Sequence, residues 1–267
     1  MPELPEVETL RRSLRPLLGR TIARVDVRTP VAIRTHRPRR FAALLTGRRL
    51  ASVNRAGKAL LIGLTGRLVL VVHFKLWGLL RFHPEAAAQD AGTALLLRFR
   101  ADGSLEFREL QLSTIELHAE KDLGTVPYLA KLGTDPLSAA FTRSRFREVM
   151  RGRAAVRAIL TDQARIAGIG NLWALEILHA ARVRPDRPAA SLTPEELGAL
   201  FAAIRTVLRR GIAQGGEPDF ADAFGRKGRV SLAVYGRTGQ SCPRRDGTVV
   251  AARFGGRPSF YCPGCQR

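Results

Sequence analysis

Apolar residues in the N-terminal half of the chain follow a helical spacing first and a strand-like spacing afterwards. At the start of the chain they recur every three or four positions, at Val7, Leu10, Leu14 and Leu18. This spacing predicts one face of an amphipathic helix that ends at Gly19. Short apolar runs separated by turn signals then predict strands at 21–27, 49–55, 59–64, 68–73, 79–82, 94–99 and 105–108. After one opening helix, we therefore expect a β-sandwich or barrel of short strands.

The second half of the chain has a helical pattern instead. Helices are predicted over 145–151, 155–163 and 172–181. A further helix is expected after Thr193, which can cap it, with Pro194 in the first turn and Glu196 placed to complete a capping box. That helix is predicted to end near Ile212. A β-rich half followed by a helical half predicts an α+β chain.

Charge narrows the possible partners. The 267 residues include 44 Lys and Arg against 23 Asp and Glu, a net charge of +21, which indicates a polyanion or an acidic membrane surface. No apolar run is long enough for a transmembrane helix, and acids occupy the place of the basic and apolar parts of a secretory signal. Three cysteines, an odd count, argue against a secreted disulfide framework. We therefore expect a cytosolic protein with reduced thiols.

The opening residues carry the most informative chemistry. Removal of Met1 would leave Pro2 as a terminal secondary amine, and α-amino groups have a pKa of about 7.7–8.0. A fraction of such an amine is neutral near pH 7, far more than of a lysine, and can attack a sugar carbon to form a Schiff base. Glu3 and Glu6 stand one helical turn apart and can donate or shuttle protons beside it. The alternative interpretation is a helix start whose Pro and Glu serve only the helix.

Motifs along nearly the whole chain resemble those of one family. They are MPELPEVET at the start, NRAGK at 54–58, LGTDPLS at 132–138, LTDQ at 160–163, AGIGNLWALE at 167–176 and YGR at 235–237. In residues and in order they resemble formamidopyrimidine-DNA glycosylases, the family that includes endonuclease VIII. The resemblance implies an α+β fold with an N-terminal β-sandwich flanked by a helix. A C-terminal helix–two-turn–helix domain with a zinc-finger-like β-hairpin would follow.

The resemblance also implies domain bounds and an activity. The bounds are 1–130 for a catalytic β-sandwich, 131–140 for a linker, 141–216 for the DNA-binding helices, and 217–267 for a lesion-loop remnant with the hairpin. The implied activity is a DNA repair glycosylase with lyase activity at abasic sites, cleaving the strand by β- and δ-elimination. Its partner is damaged DNA, double- or single-stranded, and we expect a monomer.

Residue roles follow from the same resemblance. Pro2 is implied as the Schiff-base nucleophile at C1′ of the damaged nucleotide, with Glu3 as proton donor and Glu6 as support. Lys58 is implied in β-elimination, and Arg257 joins the catalytic set as the finger arginine that grips phosphate. The target base has to leave the stack before Pro2 can reach its sugar.

The implied DNA contacts come from six residues: Lys58, His73, Leu76, Asn171, Arg237 and Arg257. Asn171 starts a predicted helix, where backbone N–H groups suit a phosphate. Taken singly, these positions also fit a turn lysine, a plain glycine turn or a solvated arginine. Glu176 is expected to be structural, since its spacing from Asn171 points it elsewhere.

The C-terminal cysteines form an incomplete zinc-ribbon pattern. Cys262 and Cys265 make an intact CxxC pair. The cysteine expected to pair with Cys242 would fall at position 245, which is Arg245 instead. A four-cysteine ribbon needs two such pairs around one tetrahedral ion. Two possibilities stay open: the three thiolates bind Zn²⁺ with Asp246 or water as the fourth ligand, or the hairpin folds without metal.

The chain departs from the family where the lesion is read. Leu76 stands in place of a methionine, although Leu76 or Trp77 could still wedge into a duplex. Residues 109–114 lack the arginine and phenylalanine that fill the space left by the flipped base, and 216–229 is short and divergent. We expect a shifted range, with single-stranded, abasic or bulky substrates preferred over 8-oxoguanine paired with C.

Two other functions fit parts of the sequence. A non-catalytic protein that recognises damaged DNA would use the same charge and fold, but would not need Pro2, Glu3, Glu6 and Lys58. An RNA-binding or ribosome-associated protein fits the charge alone and leaves the N-terminal motif unexplained.

Overall fold

A computed structural model describes residues 2–76, 78–85, 91–109 and 112–267. These fall into an N-terminal unit, from Met1–Ala130 and Pro218–Arg229, and a C-terminal unit, from Lys131–Glu217 and Val230–Arg267. The α-helices are α1 (Leu4–Ser13), α2 (Pro38–Leu45), α3 (Pro127–Ala130), α4 (Arg143–Val149), α5 (Val156–Thr161), α6 (Asn171–Ala180) and α7 (Pro194–Ala213). The strands are β1 (Ile22–Val27), β2 (Leu50–Ala56), β3 (Ala59–Leu64), β4 (Leu68–His73), β5 (Leu79–His83), β6 (Thr93–Phe99), β7 (Ser104–Arg108), β8 (Thr114–Ala119), β9 (Val250–Phe254) and β10 (Arg257–Tyr261).

The N-terminal unit contains two four-stranded antiparallel sheets among its described residues. Their strand orders are β1–β6–β7–β5 and β2–β3–β4–β8. One buried cluster draws apolar side chains from both sheets, as well as from α1 and α2. Two separate sheets around a shared core are a sandwich, so the barrel alternative is excluded.

Helix α1 confirms the predicted opening helix but is shorter. Val7, Leu10 and Leu14 are buried, whereas Leu18 is 41% exposed. Pro16 lies in a 3₁₀ turn at Arg15–Leu17, and it has no backbone N–H with which to continue an α-helix. The regular apolar spacing therefore continues past the end of α1, as far as Leu18.

Three of the helices and strands of the N-terminal unit have no counterpart among the predicted ones: α2, α3 and β8. Helix α3 spans only four residues. Helix α2 is short and begins at Pro38 within an arginine-rich stretch, and its buried residues are Phe41 and Leu45. Strand β8 pairs with β4 and completes the second sheet. Its residues alternate between buried and partly buried, as at the edge of a sheet, and the polar Glu116 and His118 interrupt the apolar run that would predict a strand.

Residues 218–229 group with the N-terminal unit, although the predicted bounds assign them to the C-terminal segment. The Phe82 N–H donates to the Ala223 carbonyl at 2.7 Å, and the Arg81 guanidinium donates to the Asp222 carbonyl at 2.8 Å. Ala223 is buried in the sandwich core. The packing of residues 218–229 against a core formed by residues far away in the chain leaves no local pattern of apolar residues. The spacing of residues in the sequence therefore does not predict it.

The C-terminal unit contains helices α4 to α7 and the β9–β10 hairpin. Thr193 accepts the Glu196 N–H at 3.2 Å and Glu196 accepts the Thr193 N–H at 2.9 Å, which is the predicted capping box of α7. The predicted linker packs in this unit too, because the Gly133 N–H donates to the Gln163 carbonyl at 2.8 Å. No described helix is long and apolar enough to cross a bilayer.

Candidate active site and nucleic-acid interface

The start of α1 holds the N-terminal motif in a buried setting. Pro2 is buried, and Glu3 and Glu6 are only 3% and 1% exposed. Glu3 is the N-cap residue of α1, and the Glu6 carboxylate accepts the Glu3 backbone N–H at 3.0 Å. Glu6 thus holds the backbone at the residue next to Pro2. Burial of two carboxyl groups beside Pro2 exceeds what a simple helix start requires.

Glu8 joins α1 to the β2–β3 hairpin. Its carboxylate accepts hydrogen bonds from Arg11 at 2.8 Å and from Arg12 at 2.9 Å. It also lies 3.6 Å from Nε of Arg55 on β2. Burial raises the pKa of Glu8, but the hydrogen bonds and positive charges of these arginines outweigh it and lower the pKa to about 2. The Glu–Arg spacing of three and four residues is the sequence signal that could have pointed to Glu8.

Glu8→Gln is expected to destabilise the protein by about 3 kcal/mol at pH 7, because a shift of one pKa unit is worth about 1.4 kcal/mol. The folded-state pKa lies below the ordinary 4.5, so this stability is present above pH 4.5 and is lost as pH falls toward 2. Urea unfolding across this range should show the variant and the wild type converging. Glu120→Gln removes a solvent-exposed carboxylate and is the control. A constant difference at every pH would contradict the assignment.

Lys58 lies in the two-residue turn between β2 and β3. Gly57 before it has φ 56°, a left-handed conformation that glycine adopts without strain. The Lys58 N–H donates to the Tyr128 hydroxyl at 2.9 Å, and Lys58 is only 7% exposed. A solvated turn lysine would be far more exposed than this. The burial of Lys58 therefore argues against the alternative of an ordinary solvent-exposed turn lysine.

His73, at the end of β4, lies beside Tyr128. Their rings meet edge to face with centroids 4.7 Å apart. Burial, followed by the positive charges of Lys75 and Lys58, lowers the pKa of His73 to about 4. Burial also raises the pKa of Tyr128. Near pH 7 both side chains are neutral, so His73 could serve DNA only as a hydrogen-bonding group.

A second set of candidate residues lies in the C-terminal unit, at the start of α6. The Asn171 side chain donates to the Pro258 carbonyl at 3.0 Å and accepts from Arg157 at 3.3 Å. Arg157 also donates to the Phe254 carbonyl at 2.6 Å, and its pKa is lowered by burial and then by the positive charge of Arg257. Asn171 and the exposed Arg257 are thus positioned by one hydrogen-bonded group.

The turn before α6 is braced by Gln163. Its amide donates to the Ile169 carbonyl at 2.7 Å and accepts the Gly168 N–H at 2.9 Å. Gly168 has φ 93° and Gly170 caps the helix. The brace keeps the first amides of α6 in place, at the end of the helix where its dipole favours an anion.

Glu176 is structural, as predicted. It is 2% exposed and accepts the backbone N–H groups of Ala233, Val234 and Tyr235 at 2.8, 2.9 and 3.0 Å. Arg237 donates through its guanidinium to Gln240 and to the Leu232, Ala233 and Ser241 carbonyls. These contacts make Arg237 a brace of its own turn. Its direct contact with DNA stays a prediction.

The three cysteines form one buried cluster with a histidine. Cys242, Cys262 and Cys265 pack together, with Cys242 and Cys265 sulfurs 3.8 Å apart. The His179 Nε2 lies 3.3 Å from the Cys242 sulfur, and ligand atoms of His179, Cys242 and Cys265 all lie within 4.8 Å of one another. Burial, then neighbouring arginine charges, lowers the pKa of His179 to about 4, which keeps the imidazole neutral. Three thiols and a neutral imidazole fit Zn²⁺.

Asp246, one of the two fourth ligands left open by the sequence, is not in the group of ligand atoms formed by His179, Cys242 and Cys265. It is exposed, and its backbone carbonyl, not its carboxylate, approaches the Cys262 sulfur at 3.9 Å. Sequence reasoning missed His179 because it lies 63 residues before Cys242, on another element. The signal available was a histidine among apolar residues near the end of a helix.

Two exposed leucines stand at the positions where the lesion-reading pattern departs. Leu76 is 49% exposed and Leu112 is 51% exposed. Trp77 and residues 110–111 lie outside the described residues. Exposed apolar side chains are what a duplex wedge requires, but the shifted lesion range stays a prediction.

Two domain models match the chain. The formamidopyrimidine-DNA glycosylase N-terminal domain matches residues 1–114, and the formamidopyrimidine-DNA glycosylase H2TH domain matches residues 132–220. The chain belongs to the formamidopyrimidine-DNA glycosylase family. The first matched range contains Pro2, Glu3 and Lys58, and the second contains Asn171 and Glu176.

Full-length relatives agree with this family. A formamidopyrimidine-DNA glycosylase of Moorella thermoacetica is 41% identical over 91% of this chain and 92% of its own length. A formamidopyrimidine-DNA glycosylase of Pelotomaculum thermopropionicum is 38% identical over 100% of this chain and 99% of its own length. The Lactococcus lactis Fpg in complex with DNA containing N7-benzyl-Fapy-dG has a TM-score of 0.91 and 29% identity, with both chains covered completely. The same enzyme in complex with abasic DNA is 28% identical, with 99% of each chain covered.

Proposed function

We propose that this member of the formamidopyrimidine-DNA glycosylase family is a base-excision repair enzyme that removes damaged bases and then cleaves the abasic strand. The observation that carries the proposal is the burial of Pro2, Glu3 and Glu6 together at the start of α1. A helix that only needed a good start would leave these carboxylates in water. Full-length relatives named as formamidopyrimidine-DNA glycosylases support the same activity.

The proposed reaction begins at the Pro2 nitrogen. The neutral amine forms a bond to C1′ while the C1′–base bond breaks, its electron pair leaves on the base, and the proton lost by the amine neutralises the base. In the same step, a proton from Glu3 on the sugar ring oxygen lets the C1′–O4′ bond break, so loss of the base depends on this proton. The nitrogen lone pair completes the C1′=N bond of the Schiff base.

Strand cleavage follows from that Schiff base. The C1′=N bond makes the C2′ proton acidic, so its removal sends electrons through C2′–C3′ and expels the 3′ phosphate. A second elimination expels the 5′ phosphate and leaves a one-nucleotide gap. We assign Lys58 to the β-elimination, in keeping with its burial beside His73 and Tyr128.

DNA is proposed to be held by its phosphates, through the start of α6 and Arg257. Asn171, in the first turn of α6, has a second amide N–H besides the one it donates to Pro258. Arg257 and Leu76 are both exposed, and His73 adds a neutral donor. Because the charge of +21 acts mainly on phosphates, affinity should fall steeply with salt.

We further propose a structural zinc ion at the cluster of Cys242, Cys262 and Cys265. When bound, zinc would hold the β9–β10 hairpin and supply no step of the reaction. A monomeric state and a cytosolic location remain predictions from the sequence.

The test is borohydride trapping on abasic DNA. Wild-type protein is expected to form a covalent adduct that peptide mapping places on Pro2, and Pro2→Gly is expected to lower the trapping rate at least about tenfold. Pro5→Ala, in the first turn of α1, is the matched control and should trap like the wild type.

Two results would overturn the proposal. An adduct mapped to a lysine would remove Pro2 from its role. No adduct with the wild type, together with tight binding of the abasic DNA, would favour the non-catalytic damage-recognition protein.

A further inference from the structure

Helix α6 is attached to the C-terminal segment along one face. Asn171 in its first turn donates to Pro258 of the hairpin, and Glu176 in its middle accepts three amides of residues 233–235. Leu175 packs in a buried cluster with Val234 and Val249. His179, in the last turn of the same helix, points its Nε2 at the Cys242 sulfur. The contact of His179 differs from the others, because it brings an imidazole nitrogen to a buried group of three cysteines.

His179 is 5% exposed, and the Cys242, Cys262 and Cys265 side chains are 1%, 0% and 5% exposed. An imidazole and three clustered sulfurs in one buried site have few common partners other than a soft or borderline metal ion. Together they supply four donors, which is the number a closed tetrahedral site needs.

We infer that His179 is the fourth zinc ligand and replaces the cysteine that Arg245 displaced from the first CxxC pair. The site would therefore hold three thiolates and one imidazole, with the imidazole supplied by α6 and not by the hairpin. This inference deepens the proposed zinc centre and concerns the C-terminal unit only.

Arg245 and Asp246 fit the same picture. Arg245 is exposed and has φ 61°, and the Asp246 side chain is exposed as well. The turn that would carry a fourth cysteine therefore presents its side chains to solvent. The donor that lies close to the cysteine sulfurs is His179 and not a side chain of this turn.

A consequence concerns α6 itself. Metal binding at His179 anchors the C-terminal end of the helix whose N-terminal end carries Asn171. Metal would then steady the proposed phosphate site in a way that a ribbon closed within its own hairpin would not.

The experiment uses full-length protein with its metal removed and Co²⁺ added as a spectroscopic probe. One equivalent should bind in a tetrahedral site, with thiolate-to-cobalt absorption for three sulfurs. His179→Cys should raise that absorption by about a third, since it changes three thiolates to four. His179→Gln should weaken Co²⁺ and Zn²⁺ binding at least about tenfold, and Asp246→Asn should leave both unchanged.

Several outcomes would overturn the inference. His179→Gln with wild-type affinity and spectrum would exclude the imidazole, and weaker binding in Asp246→Asn alone would restore the aspartate. Absence of metal binding by a wild-type protein with native circular dichroism would exclude the site altogether. The spectrum of His179→Cys keeps the test valid if His179→Gln does not fold. Trapping at Pro2 on abasic DNA is measured separately, so failure of the metal site and failure of the proposed activity are distinguishable.

Discussion

Glu3→Gln is expected to lower the rate of base excision by about 10²–10⁴-fold, the range that general acid–base catalysis contributes. Glutamine keeps the size of the buried side chain and can still accept hydrogen bonds, but it has no proton to give to the ring oxygen. Because Glu3 is only 3% exposed, water is poorly placed to act in its stead. Single-turnover excision from a lesion-containing duplex measures the effect.

A preformed abasic site provides the internal control for Glu3→Gln. Part of such a site is already an open-chain aldehyde, so the Pro2 amine can condense with it without proton transfer to the ring oxygen. Borohydride trapping on abasic DNA should therefore fall much less than base excision does. Equal losses in both assays would point to a misplaced Pro2 and would refute the assignment of Glu3 as the proton donor.

Glu176→Ala is expected to destabilise the C-terminal unit by about 3 kcal/mol or more. The substitution leaves the N–H groups of Ala233, Val234 and Tyr235 without their carboxylate acceptor, and each unsatisfied buried donor costs about 1–3 kcal/mol. Such a loss approaches the whole stability margin of many domains. Urea unfolding and limited proteolysis of residues 230–267 both measure it.

Two further variants serve as comparisons for Glu176→Ala. Glu176→Gln keeps one acceptor oxygen but places an NH₂ group against backbone donors, so an intermediate loss is expected. Glu195→Ala removes an exposed carboxylate from the first turn of α7 and should change little. A Glu176→Ala protein that unfolds like the wild type would show that water replaces the carboxylate.

Local sequence was enough to predict most of the elements that position the site. The Pro–Glu opening, the turn at Lys58 and the glycines before Asn171 are short-range signals, and each lies within one element or turn of the structure. The metal ligands were harder to predict from the sequence. A CxxC pair is recognised by its spacing, whereas a single histidine has no spacing that marks it as a ligand. His179 joins Cys242 across 63 residues, so only packing could reveal it.

By itself, the sequence determined the α+β class, the order of motifs, the polyanionic partner and the chemical groups available at the chain start. Those depend on residue type and short spacing, which physical chemistry can interpret without coordinates. The tertiary structure decided which groups are buried and which neighbours they meet. It buried Lys58, tied Glu8 to Arg55, returned residues 218–229 to the N-terminal core and brought His179 to the cysteines. These depend on contacts between residues far apart in the chain, and no local pattern encodes such contacts.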